Sequence, residues 1–102
     1  MTGDLVAFHA EAAAELEAAF NWYAARSRKV ADQYLAELDR AITVIVESPR
    51  SWERVIGLWR RYPLRRFPFL IYFRETDSGI EVVAVAHGRR RPGYWRDRDQ
   101  RF

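Results

Sequence analysis

The sequence has no cysteine, which excludes a disulfide framework, thiolate metal ligands and a thiol nucleophile together. It has only two histidines, His9 and His87, and no dense Asp/Glu cluster, so no set of side chains has metal-ligand spacing and no metal site is expected. Uncharged runs are short. The longest is the eight residues Ala18 to Ala25, far below the roughly 20 apolar residues that a membrane-crossing helix needs. The first four residues, Met1-Thr2-Gly3-Asp4, lack the basic start of a secretory signal, which leaves a cytoplasmic address as the expectation. Gly-rich phosphate loops, dinucleotide fingerprints and serine nucleophile elbows are missing too, and no cofactor is implied.

Lysine is nearly absent. Sixteen of the 17 basic residues are Arg, with Lys29 the exception, and guanidinium forks hold phosphate or carboxylate bidentately where ammonium does not. The net charge of +3 conceals an asymmetry. Residues 1–48 carry four basic and eight acidic side chains, whereas residues 49–102 carry thirteen basic and six acidic. A basic second half calls for an anionic partner. With 49% apolar and 15% aromatic residues in 102, the chain is rich enough to fold and long enough for one domain.

The pattern along the chain predicts an α+β domain. Leu5 to Phe8 is a short apolar run fit for a strand. Ala13, Leu16, Phe20 and Tyr23 mark the stripe of a helix from about Ala10 to Ala25, with Glu11 and Glu15 favoured near its positive end. Ser27 caps a second helix to Glu47, whose stripe is Tyr34, Leu38, Ala41 and Ile45, widened by Leu35 and Ile42, and Ser48-Pro49 stops it. The short link forces an antiparallel helical hairpin. After a loop from Pro49 to Gly57 the period approaches two. A strand Leu58 to Arg66, confined to an edge or bulge by Pro63, is followed by Phe69 to Arg74, a turn at Thr76 to Gly79, and Ile80 to His87. Val82 to Ala86 is apolar without alternation, so both faces of that strand should be covered. The order is β-α-α-β-β-β: one domain over 1–102, with the hairpin packed on a mainly antiparallel sheet and residues 88–102 forming a basic, aromatic tail.

That tail joins Arg89, Arg90 and Arg91 to Tyr94, Trp95, Arg96 and Arg98. Guanidinium groups interleaved with rings suit a nucleic-acid surface, and they equally suit an acidic protein surface, where Arg, Tyr and Trp are the usual anchors. A second basic group is Arg60, Arg61, Arg65 and Arg66. Strand alternation sends Arg60 and Arg66 to one face and Arg61 and Arg65 to the other, so one pair at most joins a single patch. His87 closes the third strand beside the arginines, where a general acid or base would be placed. Tyr23 is expected in the core, while Trp22, Trp52 and Trp59 are left open between core and interface.

Two blocks, Arg60-Arg61-Tyr62-Pro63-Leu64-Arg65-Arg66-Phe67-Pro68-Phe69-Leu70-Ile71-Tyr72-Phe73 and Ala84-Val85-Ala86-His87-Gly88-Arg89-Arg90-Arg91-Pro92-Gly93-Tyr94-Trp95, together with Phe8-His9-Ala10-Glu11-Ala12, resemble the RelE/ParE superfamily of bacterial type II toxin-antitoxin toxins, its ParE-like branch in particular. The resemblance implies a toxin masked by a cognate antitoxin. It also implies one of two activities: inhibition of DNA gyrase in the ParE-like branch, or ribosome-dependent cleavage of messenger RNA in the RelE-like one. For a metal-independent nuclease it points to Arg65, His87, Arg89 and Tyr94. The chain has no Lys after Lys29, and a guanidinium is too basic to accept a ribose hydroxyl proton readily, so the expectation is gyrase inhibition. The expected target contacts are Arg60, Arg66, Arg89, Arg90, Arg91, Tyr94, Trp95 and Arg96. An inactive member that only binds antitoxin is the remaining alternative.

Overall fold

The structure, a computed structural model, describes residues 6–101. Strand β1 (Val6–Phe8) leads into helix α1 (Ala10–Ala24), a three-residue link and helix α2 (Arg28–Glu47). Both helices start on side-chain caps: the Glu11 N–H donates to His9 Nδ1 at 3.0 Å, and the Val30 N–H donates to Ser27 Oγ at 3.2 Å. Each cap satisfies a donor that the first turn cannot. His9 is thereby a buried capping residue. A single turn of 3-10 helix (Pro49–Ser51) then precedes β2 (Arg54–Ile56), β3 (Trp59–Pro63), β4 (Phe69–Thr76) and β5 (Gly79–His87). The sheet order is β1-β5-β4-β3-β2, parallel only between β1 and β5. Leu5, expected in the first strand, lies outside the described residues.

The hairpin covers one face of this sheet. Its stripe on α2 is Tyr34, Leu38, Ala41 and Ile45, all buried, whereas Leu35 is 40% exposed and does not widen it. On α1 the buried line runs through Ala12 and Ala19, with Leu16, Phe20 and Tyr23 packed alongside, and Ala13 faces outward. A phase shift of one residue explains this: small Ala12 and Ala19 let α1 approach the sheet, and alanine gives no hydropathy signal that separates position 12 from 13. The Tyr34 hydroxyl donates to the Leu16 carbonyl at 3.1 Å and ties the two helices.

Besides shifts of one or two residues at the ends of β3, β4 and β5, the strands differ from the sequence reading in two larger ways. Arg54–Ile56, expected as loop, is an edge strand opposite Trp59 and Arg60. Gly57, at φ +54°, makes the tight turn between them, a conformation that favours glycine. β3 stops at Pro63 rather than Arg66, because proline offers no ladder donor and, after the Leu64 N–H donates to the Phe69 carbonyl, the amides of Arg65 and Arg66 are taken by a side chain of α2.

β5 lies between β1 and β4 and is covered on both faces, as its unbroken apolar run implies. The missing alternation has a second cause. Tyr72 stands opposite Ala84 and Phe73 opposite Val82, leaving Val83 as an extra residue on β5. This bulge reverses the parity of the strand. Val82 and Val85 pack under the helices, while Val83, Ala84 and Ala86 join Trp59, Tyr72 and Trp95 in a second core on the opposite face. The segment after His87, with its 3-10 helix Arg96–Arg101, supplies the cover there.

Candidate functional site

The segment 88–98 is part of the fold. Trp95 is fully buried, its ring centroid 5.5 Å from that of Trp59 and 5.0 Å from that of Tyr72. Expected as an outward contact, Trp95 is instead the plug of the second core. An indole gains more from burial against two rings than from exposure. Gly93, at φ +87°, turns the chain toward it; a Cβ there would meet Ile56 Cδ1 and Arg96 Cδ at 3.0 Å.

Arg98 is buried as well, and its partner is Glu15 of α1. Arg98 Nη1 donates to Glu15 Oε1 at 3.0 Å and Nη2 to Oε2 at 2.9 Å, while Nη1 also donates to the Val83 carbonyl at 3.0 Å. Arg98 Nε lies 3.2 Å from Glu11 Oε1. Glu15 also accepts from the Val85 N–H at 3.0 Å and from the Tyr94 hydroxyl at 2.6 Å. The reason lies in the sheet. β1 pairs with β5 only as far as Val82, so beyond it the β1-facing edge of β5 has no strand beside it. Glu15 and Arg98 take the place of that strand, one accepting from Val85 and the other donating to Val83.

Charge follows from this geometry. Burial alone would raise the Glu15 pKa, but the hydrogen bonds from Arg98, Tyr94 and Val85 outweigh it and hold the carboxyl below its ordinary 4.5. Burial works against the Arg98 charge, and the hydrogen bond and charge of Glu15 more than restore it. For Tyr94, burial and then the Glu15 carboxylate both push the pKa above its ordinary 10.0. The phenol proton is thus fixed on Tyr94 and aimed at Glu15.

A cleft of about 500 Å³ opens between α1 and the far end of β5. Ala18, Ala19, Trp22 and Phe69 give it an apolar floor, and His87, Arg90 and Tyr94 line its other side. Trp22 is 55% exposed. Arg90 stacks over the Tyr94 ring at 3.7 Å. His87 Nδ1 accepts from the Arg89 N–H at 3.1 Å, and its carbonyl accepts from the Arg90 N–H at 2.9 Å, so His87 shapes the turn that carries the arginines.

The second basic block is split. Arg60 lies on the helix-facing side of β3 and donates from Nη1 to the Trp52 carbonyl at 2.7 Å; Arg61, on the other side, pairs with Glu53 at 2.7 Å. Arg65 and Arg66 leave the strand altogether, so alternation along β3 does not orient them. Their amides donate to the buried carboxylate of Glu37 on α2, that of Arg66 at 3.1 Å to Oε2. Both guanidinium groups are exposed. The loop they occupy touches the arginine turn through the Gly88 N–H, which donates to the Pro68 carbonyl at 2.8 Å. Arg65, Arg66, Arg89 and Arg91 therefore emerge at one end of the sheet, Arg90 turns into the cleft, and Arg60, the second residue of β3, sits toward the strand's other end. Arg96 is exposed and lines a shallow hollow with Leu58, Trp59 and Arg74 on the opposite face.

Of the four nuclease candidates, the cleft unites His87 and Tyr94, while Arg65 and Arg89 stand outside its lining. Among the described residues no group of three His, Asp or Glu could hold a metal ion. Sequence reasoning places Glu15 only at the positive end of a helix and Arg98 only in the tail, and it passes over Glu37, although both acids interrupt an apolar stripe at helical spacing: Glu15 follows Ala12 by three, and Glu37 follows Tyr34 by three. Removing the Glu37 charge tests its part. Glu37→Gln should cost about 1–3 kcal/mol, since its amide cannot accept from both donors equally, and amide hydrogen exchange at Arg65 and Arg66 should accelerate before global unfolding. Unchanged protection at both amides would contradict it.

Residues 6–92 match the family model described as "ParE toxin of type II toxin-antitoxin system, parDE". The protein called Toxin ParE2 in two strains of Mycobacterium tuberculosis, CDC 1551 / Oshkosh and ATCC 25618 / H37Rv, is 29% identical over 79 residues, spanning 76% of this chain and 75% of the relative. A solved structure titled "Chromosomal ParDE TA system from P. aeruginosa" shares the fold at a TM-score of 0.71 and 16% identity, over 85% of this chain and 98% of that one. The family model spans both helices, the whole sheet and the arginine turn as far as Pro92, and on that match the chain belongs to the ParE toxin family of type II toxin-antitoxin systems.

Proposed function

We propose that this ParE-family chain inhibits DNA gyrase by binding and is neutralised by a cognate antitoxin. The observation that carries the activity is the state of Tyr94. A nuclease of the alternative kind needs a group that gives and takes a proton at the ribose or the phosphate. Here the phenol is fixed in its protonated form against Glu15, the guanidinium groups nearby hold their protons, and His87, the remaining candidate in the cleft, spends Nδ1 on the Arg89 N–H that shapes the arginine turn. Binding needs no proton shuttle, only presented charge and a rigid support.

The cleft supports the neutralisation half. Its apolar floor on α1, the exposed Trp22 and the Arg90 rim fit an amphipathic segment with acidic residues beside its apolar face. Such a segment, disordered when free, would fold as it docks.

Expression of the chain without its antitoxin should arrest growth. Purified protein should abolish gyrase supercoiling while leaving ribosome-bound messenger intact. Cleaved messenger with untouched supercoiling would replace this reading by the nuclease one, and growth without arrest would leave a member that only binds its partner.

A further inference from the structure

We infer that the end of the sheet where residues 64–68 meet residues 88–91 is a binding site for the phosphate backbone of duplex DNA. Arg65, Arg66, Arg89 and Arg91 are exposed there and form no ion pair with another described residue. Elsewhere Arg28 faces Asp32, Arg50 faces Glu75, Arg61 faces Glu53, Arg74 faces Glu81 and Arg98 faces Glu15, and exposed arginines without an acid, such as Arg40 on α2, Arg54 on β2 and Arg96 on the opposite face, stand apart from one another. The four cations are left without the acids that neutralise their counterparts.

Their backbone is held. Glu37 accepts from the Arg65 and Arg66 amides, and the Phe67 ring packs at 5.1 Å from Tyr23 and 5.6 Å from Tyr34. His87 accepts from the Arg89 amide, and the Gly88–Pro68 hydrogen bond locks one arginine segment to the other. Long cationic side chains on a fixed base meet a regular array of anions with less ordering than the same side chains on a mobile loop.

The rings decide which anion. A protein interface draws its strength from aromatic anchors beside arginine, and single-stranded RNA is gripped by exposed rings on which bases stack. At this end the rings are withdrawn: Trp95 is enclosed, Tyr94 lies beneath Arg90, and Phe67 and Phe69 face the helices. The exposed Trp22 lies across the cleft, with Arg26 stacked over its ring at 3.7 Å, so at the four arginines themselves charge dominates, the demand of a phosphate backbone read for its charge. The inference does not need the gyrase reading, although gyrase holds duplex DNA and the two would act together.

Fluorescence anisotropy with a 30-base-pair duplex, between 50 and 200 mM salt, tests the site. Four phosphate contacts predict a slope of log affinity against log salt of roughly −3 to −4. The double variants Arg65→Ala/Arg66→Ala and Arg89→Ala/Arg91→Ala should each lower that slope by about 2 and weaken binding at least about tenfold at 50 mM salt. Arg50→Ala, already paired with Glu75, should change little, and thermal unfolding would confirm that each variant is folded. Glu37→Gln separates placement from net charge. It makes the chain more positive, yet it should weaken duplex binding because the loop loses its anchor. No salt-dependent binding, equal affinity for polyglutamate, a tenfold preference for single-stranded RNA, or tighter binding by Glu37→Gln would each overturn the inference. Duplex binding with supercoiling untouched upholds it and removes the gyrase reading; gyrase inhibition without duplex binding does the reverse.

Discussion

Replacing Glu15 by Ala is expected to cost about 3–5 kcal/mol, the range for removing one partner of a buried ion pair. For a domain of this size that corresponds to a fall in Tm of roughly 12 °C or more. The side chains of Glu15 and Arg98 are 20% and 10% exposed, so solvent replaces little of what is lost. The variant strands the Tyr94 hydroxyl and the Val85 amide and leaves the buried Arg98 guanidinium only the half-exposed Glu11 and the Val83 carbonyl. Glu15→Gln keeps the shape and loses the charge, and about half the cost is expected. Acid provides an independent check. The Glu15 pKa is depressed on folding, so its contribution is complete above its ordinary 4.5 and disappears as pH falls through the lower folded value. The stability gap between the parent chain and Glu15→Gln should therefore narrow below pH 4.5. A gap that stays constant down to pH 3 would show that Glu15 is not held as a carboxylate by these partners.

The second large effect is at Trp95. Trp95→Ala empties the centre of the second core and should cost roughly 3–5 kcal/mol, with trypsin then cutting in the segment of Arg89 to Arg96 while the helical hairpin is still protected. Trp95→Phe is the revealing companion. The buried Trp95 Nε1 has no hydrogen-bond partner among the described residues, and an unsatisfied buried donor is itself costly. Phe gives up part of the ring volume and also that burden, so a loss of only about 1–2 kcal/mol is expected. Equal losses for Ala and Phe would mean that the indole N–H has a partner.

Most of the fold was legible because it rests on period and punctuation. Ser27 and Pro49 bracket α2, the stripe from Tyr34 to Ile45 has helical spacing, and the turn at Asp77–Ser78 joins two apolar runs. The site was less legible, and the residues show why. Glu15 was read as an acid favoured by the helix dipole, because the stripe was phased on Ala13; with Ala12 and Ala19 in the buried line, position 15 falls between them and faces the sheet. Glu37 lies within a correctly read stripe, yet its partners are amides 28 and 29 residues away, and backbone donors leave no trace in side-chain pattern. The bulge at Val83 is likewise invisible in an all-apolar run. Arg and Trp in the tail resembled a presented surface, since composition cannot distinguish a ring that anchors a partner from one that closes its own core.

The hydrogen bonds between Glu15 and Arg98 join positions 83 residues apart. Because synthesis runs from the N-terminus, both helices and the five described strands emerge before Arg98 does. Until it follows, the Val83 carbonyl has no guanidinium beside it and Glu15 lacks its cation. A ribosome that stalls before codon 98 therefore delivers hairpin and sheet without the side chain that closes them together.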